Sequence, residues 1–504
     1  MMAFNPKEFL EWFQQAGGWY NEEYLGLKPF PGMGYGATAL QDIPEDVPLF
    51  HIPDSLILSP YTSELSKYLT AEEWERVDRG WNKIILVMIR ESGRGDESPW
   101  SGYLSNMPTE FDTPMMWNDE ERKELIGTDI EDRIGKEDAE KEYKENLLPI
   151  IQAHPELFPP SSPHHTLDSF HIQGSRILSR SFTVPASRFN ASPKPADGGD
   201  DESDFSDDED EEGEETVVMI PFADMLNAAY QRDNANLFTD EKTKEKGGQW
   251  DKRGFTMKST KPIGKDEQIY NTYASPPNSE LLRKYGHVDV LSIPTEQVEL
   301  LSEEEIGDWP FGNPGDEILI DGKVIIESIE AVLGKKRGDE EKWQAKVSKR
   351  VDWWLEEGLD DMFPLTLSPG FDDEFIAFIR LLLYDSEWLR AKKKGKLPTT
   401  TIDKDVASVI VHAVQIRLSK YTGDLKSDLE VIKSISADHI PRPTTSTALL
   451  EQSNADDVKK VDPSALRRCY AAVVRLGEKR ILQVALRNAE KYLPQKRKAE
   501  DGST

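Results

Sequence analysis

Four short stretches hold residue types with chemical capability. They are Gly32-Met33-Gly34, Ser179-Arg180-Ser181-Phe182, Pro221-Phe222-Ala223-Asp224-Met225-Leu226-Asn227 and Ile269-Tyr270-Asn271-Thr272-Tyr273, the last followed by Asn278 and Tyr285-Gly286-His287. Glycines at 32 and 34 let the backbone approach a ligand closely, or else make an ordinary turn between strands. Arg180 brings a planar guanidinium suited to a carboxylate, whether that belongs to a ligand or to a neighbouring side chain. Asp224 and Asn227 close an apolar stretch, where such residues either meet a ligand or fold into Asx turns. Tyr273 offers a hydroxyl that can hydrogen-bond an amine and fix its direction. Tyr270 lies an odd number of residues away on the same strand, so its ring points to the opposite face and reads as core.

Other chemistries fail on the residues available. The chain has no Gly-rich phosphate loop ending in Lys-Ser/Thr and no Gly-x-Ser-x-Gly elbow. Its one cysteine, Cys469, carries no nucleophile signature and cannot form a disulfide within the chain, which suits a reducing compartment. Of eight histidines, His164 and His165 are adjacent, but no further ligand spacing supports a metal pair. The first residues lack the basic and apolar regions of a signal peptide, no apolar run reaches membrane-spanning length, and Asn190-Ala191-Ser192 is a glycosylation sequon by pattern only. These features predict a soluble intracellular protein without membrane contact. Hydrophobic content is 37%, charged content 31% and formal net charge −32. Thirteen acidic residues and no basic one lie between Asp197 and Glu215; without them about −19 remains. A surface of this sign disfavours direct nucleic-acid binding; it serves solubility or draws in basic partners.

Taken with Pro99-Trp100-Ser101-Gly102-Tyr103-Leu104, Asp112-Thr113-Pro114-Met115-Met116-Trp117 and Arg475-Leu476-Gly477-Glu478-Lys479, the four stretches resemble the SET-domain protein lysine methyltransferases. The resemblance is to the group around Rubisco large-subunit methyltransferase, and within it to the fungal ribosomal-protein lysine methyltransferases. It covers nearly the whole chain and rests on order and spacing rather than on one tetrapeptide.

The resemblance implies S-adenosyl-L-methionine as cofactor, bound by Gly32, Met33, Gly34, Arg180, Asn227, Ala228 and Tyr273. It also implies Tyr273 as the catalytic residue, and Asp224 and Tyr285 on the substrate-lysine side. Methyl transfer to an amine is an in-line displacement, so the lysine must arrive neutral with its lone pair aimed; correct orientation is worth roughly 7–11 kcal/mol in well-ordered systems. A narrow channel lowers the lysine pKa by desolvation, and backbone carbonyls stabilise a polarised sulfonium without a charged base. Two positions depart from the family pattern: Ala228 stands where histidine is common, and His287 where phenylalanine is common. The implied partner is a basic protein, a ribosomal protein first, with a histone or other nuclear protein as alternatives. The implied state is a monomer in the nucleus, with the cytoplasm as alternative; Lys496-Arg497-Lys498 is a small basic cluster in that sense. A different reading is a catalytically silent SET-like adaptor that binds basic proteins through its C-terminal helices; Ala228 is the feature in its favour.

Positioning these residues requires an α+β architecture: a β-rich SET domain of short strands with a helical insertion, followed by an all-α C-terminal substrate-binding domain. Phe4, Phe9 and Phe13 at helical spacing predict an N-terminal amphipathic helix. Short strands follow at Tyr35–Leu40 and Pro48–Pro53, and again at Val217–Ile220, Phe255–Met257 and Gln268–Tyr273. Each strand-rich piece is too small to hold a core, so the two must pack together. Apolar stripes on Trp81–Arg90, Phe375–Leu383, Val406–Ile416 and Leu466–Leu482 predict helices. The expected division is residues 1–60 for the first part of the SET domain, 61–188 for the helical insertion and 189–215 for a disordered acidic loop. Residues 216–295 form the second part of the SET domain with the active site, 296–493 the helical domain, and 494–504 a mobile tail.

Overall fold

The computed structural model describes residues 4–30, 34–190, 215–228, 232–239, 253–271, 276–289, 313–334, 340–368, 370–434 and 462–494. Two compact units divide them, and neither is continuous in sequence. The first takes residues up to Met115 together with Gly135–Ala274; the second takes Met116–Ile134, Ser275–Arg442 and the chain from Asp456.

Among the described residues the first unit carries nine short strands: β1 (Trp19–Tyr20), β2 (Leu25–Phe30), β3 (Gly34–Ala39), β4 (Pro48–Pro53), β5 (Ser181–Pro185), β6 (Glu215–Met219), β7 (Ala235–Thr239), β8 (Gly254–Ser259) and β9 (Gln268–Ile269). They form small antiparallel sheets in the orders β1-β4-β8-β7, β2-β3-β9 and β5-β6. The two strand-rich pieces therefore interleave, as their size demanded. β4 sits between β1 and β8, and Leu49, Phe50, His51 and Ile52 are all buried on it. The N-terminal helix Pro6–Gln15 starts from Asn5, whose side chain accepts from the Lys7 and Glu8 amides, with proline at its first position. Its Phe9 and Phe13, one turn apart, are fully buried. The helix Asn82–Gly93 buries Ile84 through Ile89 without a break, which explains its apolar run.

The second unit is mainly helical. Its longest helix, Pro463–Glu490, is buried from Cys469 to Leu482 and packs against Lys404–Ser419 and Leu425–Ser434. The expected all-α character needs correction: β10 (Glu317–Asp321) and β11 (Met362–Thr366) form an antiparallel ladder. Ile318 opposite Leu365 and Ile320 opposite Phe363 form its buried face. A period-2 pattern over only five residues is easily lost beside long helices.

The expected boundaries also move. Residues 116–134 leave the insertion for the second unit because Trp117, Leu125 and Ile130 pack with Leu282, Val288, Leu425, Cys469 and Val473. Residues 276–289 join them there rather than the strands of the first unit. At the edges of the expected acidic loop, Phe189 belongs to the short helix Ser187–Asn190 and Glu215 opens β6, paired with Pro185. Residues 191–214 lie outside the described residues, as does the tail from 495.

Candidate active site

The 221–228 segment meets 269–271 directly. Asn271 donates its amide to the Asn227 carbonyl at 3.0 Å, and Ala228 forms a parallel bridge with Asn271. Asn234 pins the same crossing. Its side chain accepts from the Tyr270 amide at 2.8 Å and donates to the Gln268 carbonyl at 3.1 Å, while its own amide donates to the Tyr270 carbonyl at 3.1 Å. Tyr270 is buried as expected, with the Arg232 guanidinium 5.0 Å from its ring centre. Thr272 and Tyr273 lie outside the described residues.

Phe222 anchors the segment. It holds a φ of +79°, an unfavourable backbone for a side chain of this size, costing roughly 1–3 kcal/mol. Its ring stacks on Phe50 at 4.3 Å and meets Phe9, Phe13 and Tyr20 edge-on at 5.6, 5.1 and 6.2 Å. Four such contacts at about 0.5–1.5 kcal/mol each cover that strain. The turn after Phe222 then swings Ala223–Met225 into a short 3-10 helix and presents Asp224 inward.

Asp224 makes side-chain contacts across the fold instead of an Asx turn. Its Oδ2 accepts from the Tyr103 hydroxyl at 2.9 Å and from Arg180 Nη1 at 3.3 Å, and Arg180 also donates to the Asp224 carbonyl at 3.0 Å. The Asp224 side chain is 1% exposed and that of Arg180 is 29% exposed. Arg180 ends the helix Leu167–Arg180, and Tyr103 lies on the short helix Ser101–Leu104. Burial raises the Asp224 carboxyl above its ordinary value, against the lowering influence of Arg180 and Tyr103. Asp224 Oδ1 is buried with no hydrogen-bond partner, a position that favours a donor arriving from outside.

A second group of orphaned atoms comes from Asn227, three residues after Asp224, and from Gln268 on β9. Asn227 Nδ2 and Gln268 Nε2 are both buried, and neither has an acceptor. Both press on Gly36 of β3: a Cβ there would sit 2.7 Å from the first and 2.6 Å from the second. Two acceptorless amides against a bare backbone suit a ligand carrying oxygen or nitrogen lone pairs. Close approach is thus the role of Gly36. Gly34 holds φ +69°, and a Cβ there would meet nothing within 4 Å among the described residues, so its backbone conformation by itself favours glycine. Gly32 and Met33 lie outside the described residues.

The structure thus joins Asp224, Arg180, Asn227 and Ala228 in one unit, with Tyr103, Gln268 and Gly36 as members that sequence reasoning missed. Tyr285 belongs to the second unit, at the end of the helix Asn278–Tyr285, with its ring 5.9 Å from that of His287. Among the described residues no group of three or more His, Cys, Asp or Glu is placed to hold a metal ion, and no helix is long and apolar enough to cross a membrane.

Residues 342–482 match the family model "Rubisco LSMT substrate-binding". A crystal structure of the SET domain of LSMT bound to lysine and AdoHcy superposes with a TM-score of 0.61 at 18% identity, over 96% of this chain and 91% of that one. The chain therefore shares the fold of that SET-domain structure. Among curated proteins this chain is 31% identical over 287 residues to N-lysine methyltransferase setd6 of Salmo salar, 56% of each chain. It is 33% identical over 262 residues to ribosomal lysine N-methyltransferase 4 of Saccharomyces cerevisiae, 51% of this chain and 49% of that one. The chain thus spans about half the length of these two relatives. Against SETD6 of Mus musculus the match runs over 453 residues at 24% identity, 84% of that protein.

Proposed function

We propose that this chain is an S-adenosylmethionine-dependent protein-lysine N-methyltransferase acting as a monomer on a basic protein, a ribosomal protein in the first place. The observation that carries the reading is the pair of buried, acceptorless amides of Asn227 and Gln268 on Gly36, beside the Asn227–Asn271 crossing. The names of the salmon and yeast relatives support lysine as the acceptor, and the yeast name supports a ribosomal substrate. The chain's net charge of −32 supports a basic partner, and the helical domain around 342–482 is the part proposed to hold it.

The residues present fit the cofactor. Asn227 and Gln268 are proposed to donate to it at Gly36, and Arg180, whose side chain keeps 29% exposure, to meet its carboxylate. When bound, S-adenosylmethionine supplies an electrophilic methyl on a sulfonium. The chain's own residues then serve the amine. Asp224 Oδ1 accepts an amine N–H, the Tyr273 hydroxyl fixes the lone-pair direction, and burial around Asp224 keeps water out. Ala228 is compatible with this because its place is held by the backbone bridge to Asn271, which any side chain permits.

Incubating the purified protein with labelled S-adenosylmethionine and fractionated cell extract, then identifying labelled bands by mass spectrometry, tests the reading. Tyr273→Phe should lose most labelling while staying folded; undiminished labelling removes Tyr273 from catalysis. The adaptor reading rests on Ala228 alone and predicts no heat on titration with S-adenosylmethionine. We further propose a nuclear location through Lys496-Arg497-Lys498; unchanged nuclear signal after replacing all three by alanine would refute it.

A further inference from the structure

Tyr103 has no role in the reading so far, yet its placement is tightly set. The ring is buried and stacks on Trp12 of the N-terminal helix, with centroids 6.5 Å apart and planes 12° from parallel. Trp12 is itself tied down, its indole N–H donating to the Pro99 carbonyl at 3.3 Å. The neighbouring Gly102 makes the stack possible, because a Cβ there would come within 2.2 Å of Trp12 Cγ. Phenylalanine would fill the same volume, so packing does not explain the hydroxyl. That hydroxyl donates to Asp224 Oδ2 at 2.9 Å. Burial and the adjacent carboxylate push the phenol well above its usual value, so it remains a donor throughout the working pH range.

A carboxylate turns readily about its last torsion, which is broad and two-fold. Arg180 alone, reaching Asp224 through Nη1 at 3.3 Å, can pair with either oxygen. The Tyr103 hydroxyl removes that freedom: Oδ2 is held, and Oδ1 is left buried and without a partner. We propose that Tyr103 is a positioning residue of the transfer site, locking the Asp224 carboxylate so that Oδ1 receives an N–H of the incoming lysine amine. This inference rests on the lysine-methyltransferase reading. The chain of contacts runs from Trp12 through Tyr103 to Asp224, so the N-terminal helix reaches the site through Tyr103.

The test is Tyr103→Phe in the full chain, alone and combined with Asp224→Asn. It is read by calorimetry with S-adenosylmethionine and by steady-state labelling of RNA-free total ribosomal proteins. The expected result is kcat lowered about tenfold, the scale of a misdirected reacting group, with cofactor Kd and protein-substrate KM moved less than about twofold. Asp224 is faced by Arg180 and Tyr103, so losing the hydroxyl weakens the ionised carboxylate and moves the acid limb of the kcat/KM profile to higher pH. On the Asp224→Asn background Tyr103→Phe should add nothing further, because it acts through Asp224. Wild-type kcat and pH profile in Tyr103→Phe, or additive losses in the pair, would overturn the inference while leaving the enzyme reading in place. Loss of the fold, or of cofactor affinity together with kcat, would assign the hydroxyl to the core and overturn it equally. If the wild-type protein takes up no S-adenosylmethionine, the methyltransferase reading itself falls, and the inference with it.

Discussion

Gly36→Ala separates ligand binding from folding more cleanly than any other single change in the first unit. The new methyl would lie 2.6 Å from Gln268 Nε2, 2.7 Å from Asn227 Nδ2 and 3.2 Å from Phe30 Cδ2. The two closest atoms are tips of flexible side chains, so they swing away and the backbone stays. Alanine in a strand interior regains about 0.5–1 kcal/mol over glycine, which offsets the displacement, and stability should change by less than about 1 kcal/mol. The displaced amides are the donors proposed to meet the cofactor. At about 0.5–1.5 kcal/mol per hydrogen bond, two lost contacts amount to about 1–3 kcal/mol, or roughly 5- to 150-fold in Kd. Calorimetry with S-adenosylmethionine reads the affinity, and thermal unfolding without ligand reads the fold. Gly34→Ala is the opposite control. Its methyl meets nothing within 4 Å among the described residues but is forced into φ +69°, so about 1–2 kcal/mol of stability is lost while neither amide moves. A folded Gly36→Ala protein that binds the cofactor like wild type would refute the reasoning.

Three further outcomes are expected. Asp428 is 2% exposed and pairs with Arg475 at 2.9 Å and Lys479 at 2.6 Å, so Asp428→Ala removes the carboxylate these two buried cations share and should cost about 3 kcal/mol in urea denaturation; a loss below about 1 kcal/mol would show that Glu124, 3.2 Å from Arg475, and the Gly423 and Asp424 carbonyls on Lys479 suffice. Burial pushes the Asp316 carboxyl up to about 6, so the folded state holds its proton more tightly than the unfolded state. Its contribution to stability is present in full below about pH 4, falls by about 3 kcal/mol as pH rises towards 6, and is level above that. Urea titrations should show that slope reduced in Asp316→Asn, and parallel curves for the two proteins would contradict it. Deleting 197–214, which spares Glu215 at the start of β6, should leave cofactor Kd unchanged by calorimetry; a large loss would make the acidic run part of the site.

The sequence foretold the long-range logic of the fold better than its local detail. The need of two strand-rich pieces for each other followed from their size, and β3, β4, β8 and β9 fulfil it. The helix Pro463–Glu490 was legible from its apolar stripe, and Phe9 with Phe13 from their spacing. β2, Leu25-Gly26-Leu27-Lys28-Pro29-Phe30, was not, because a glycine and a proline blur its alternation. At the site, Asp224 and Asn227 were singled out by the resemblance; as polar residues closing an apolar run they could equally have made Asx turns. Gln268 and Gly36 were missed because each is unremarkable in its own strand; only the crossing brings them together. The partner of Arg180 was open to a ligand or a neighbour, and Asp224, 44 residues away, occupies one of its nitrogens. Tyr103 was quoted in a motif but given no role, since its partner lies 121 residues further on.

The second unit's discontinuity has a consequence during synthesis. Trp117, Leu125 and Ile130 are made early, but their cover includes the helix Pro463–Glu490. Arg467, which pairs with Glu121 at 2.8 Å, emerges 346 residues later. At about 5–20 residues per second, that is roughly 17–70 s in which an apolar surface waits for its partner. A ribosome-bound nascent chain stalled before Pro463 should therefore recruit holding chaperones to the 116–134 stretch, and release them once the last helix docks.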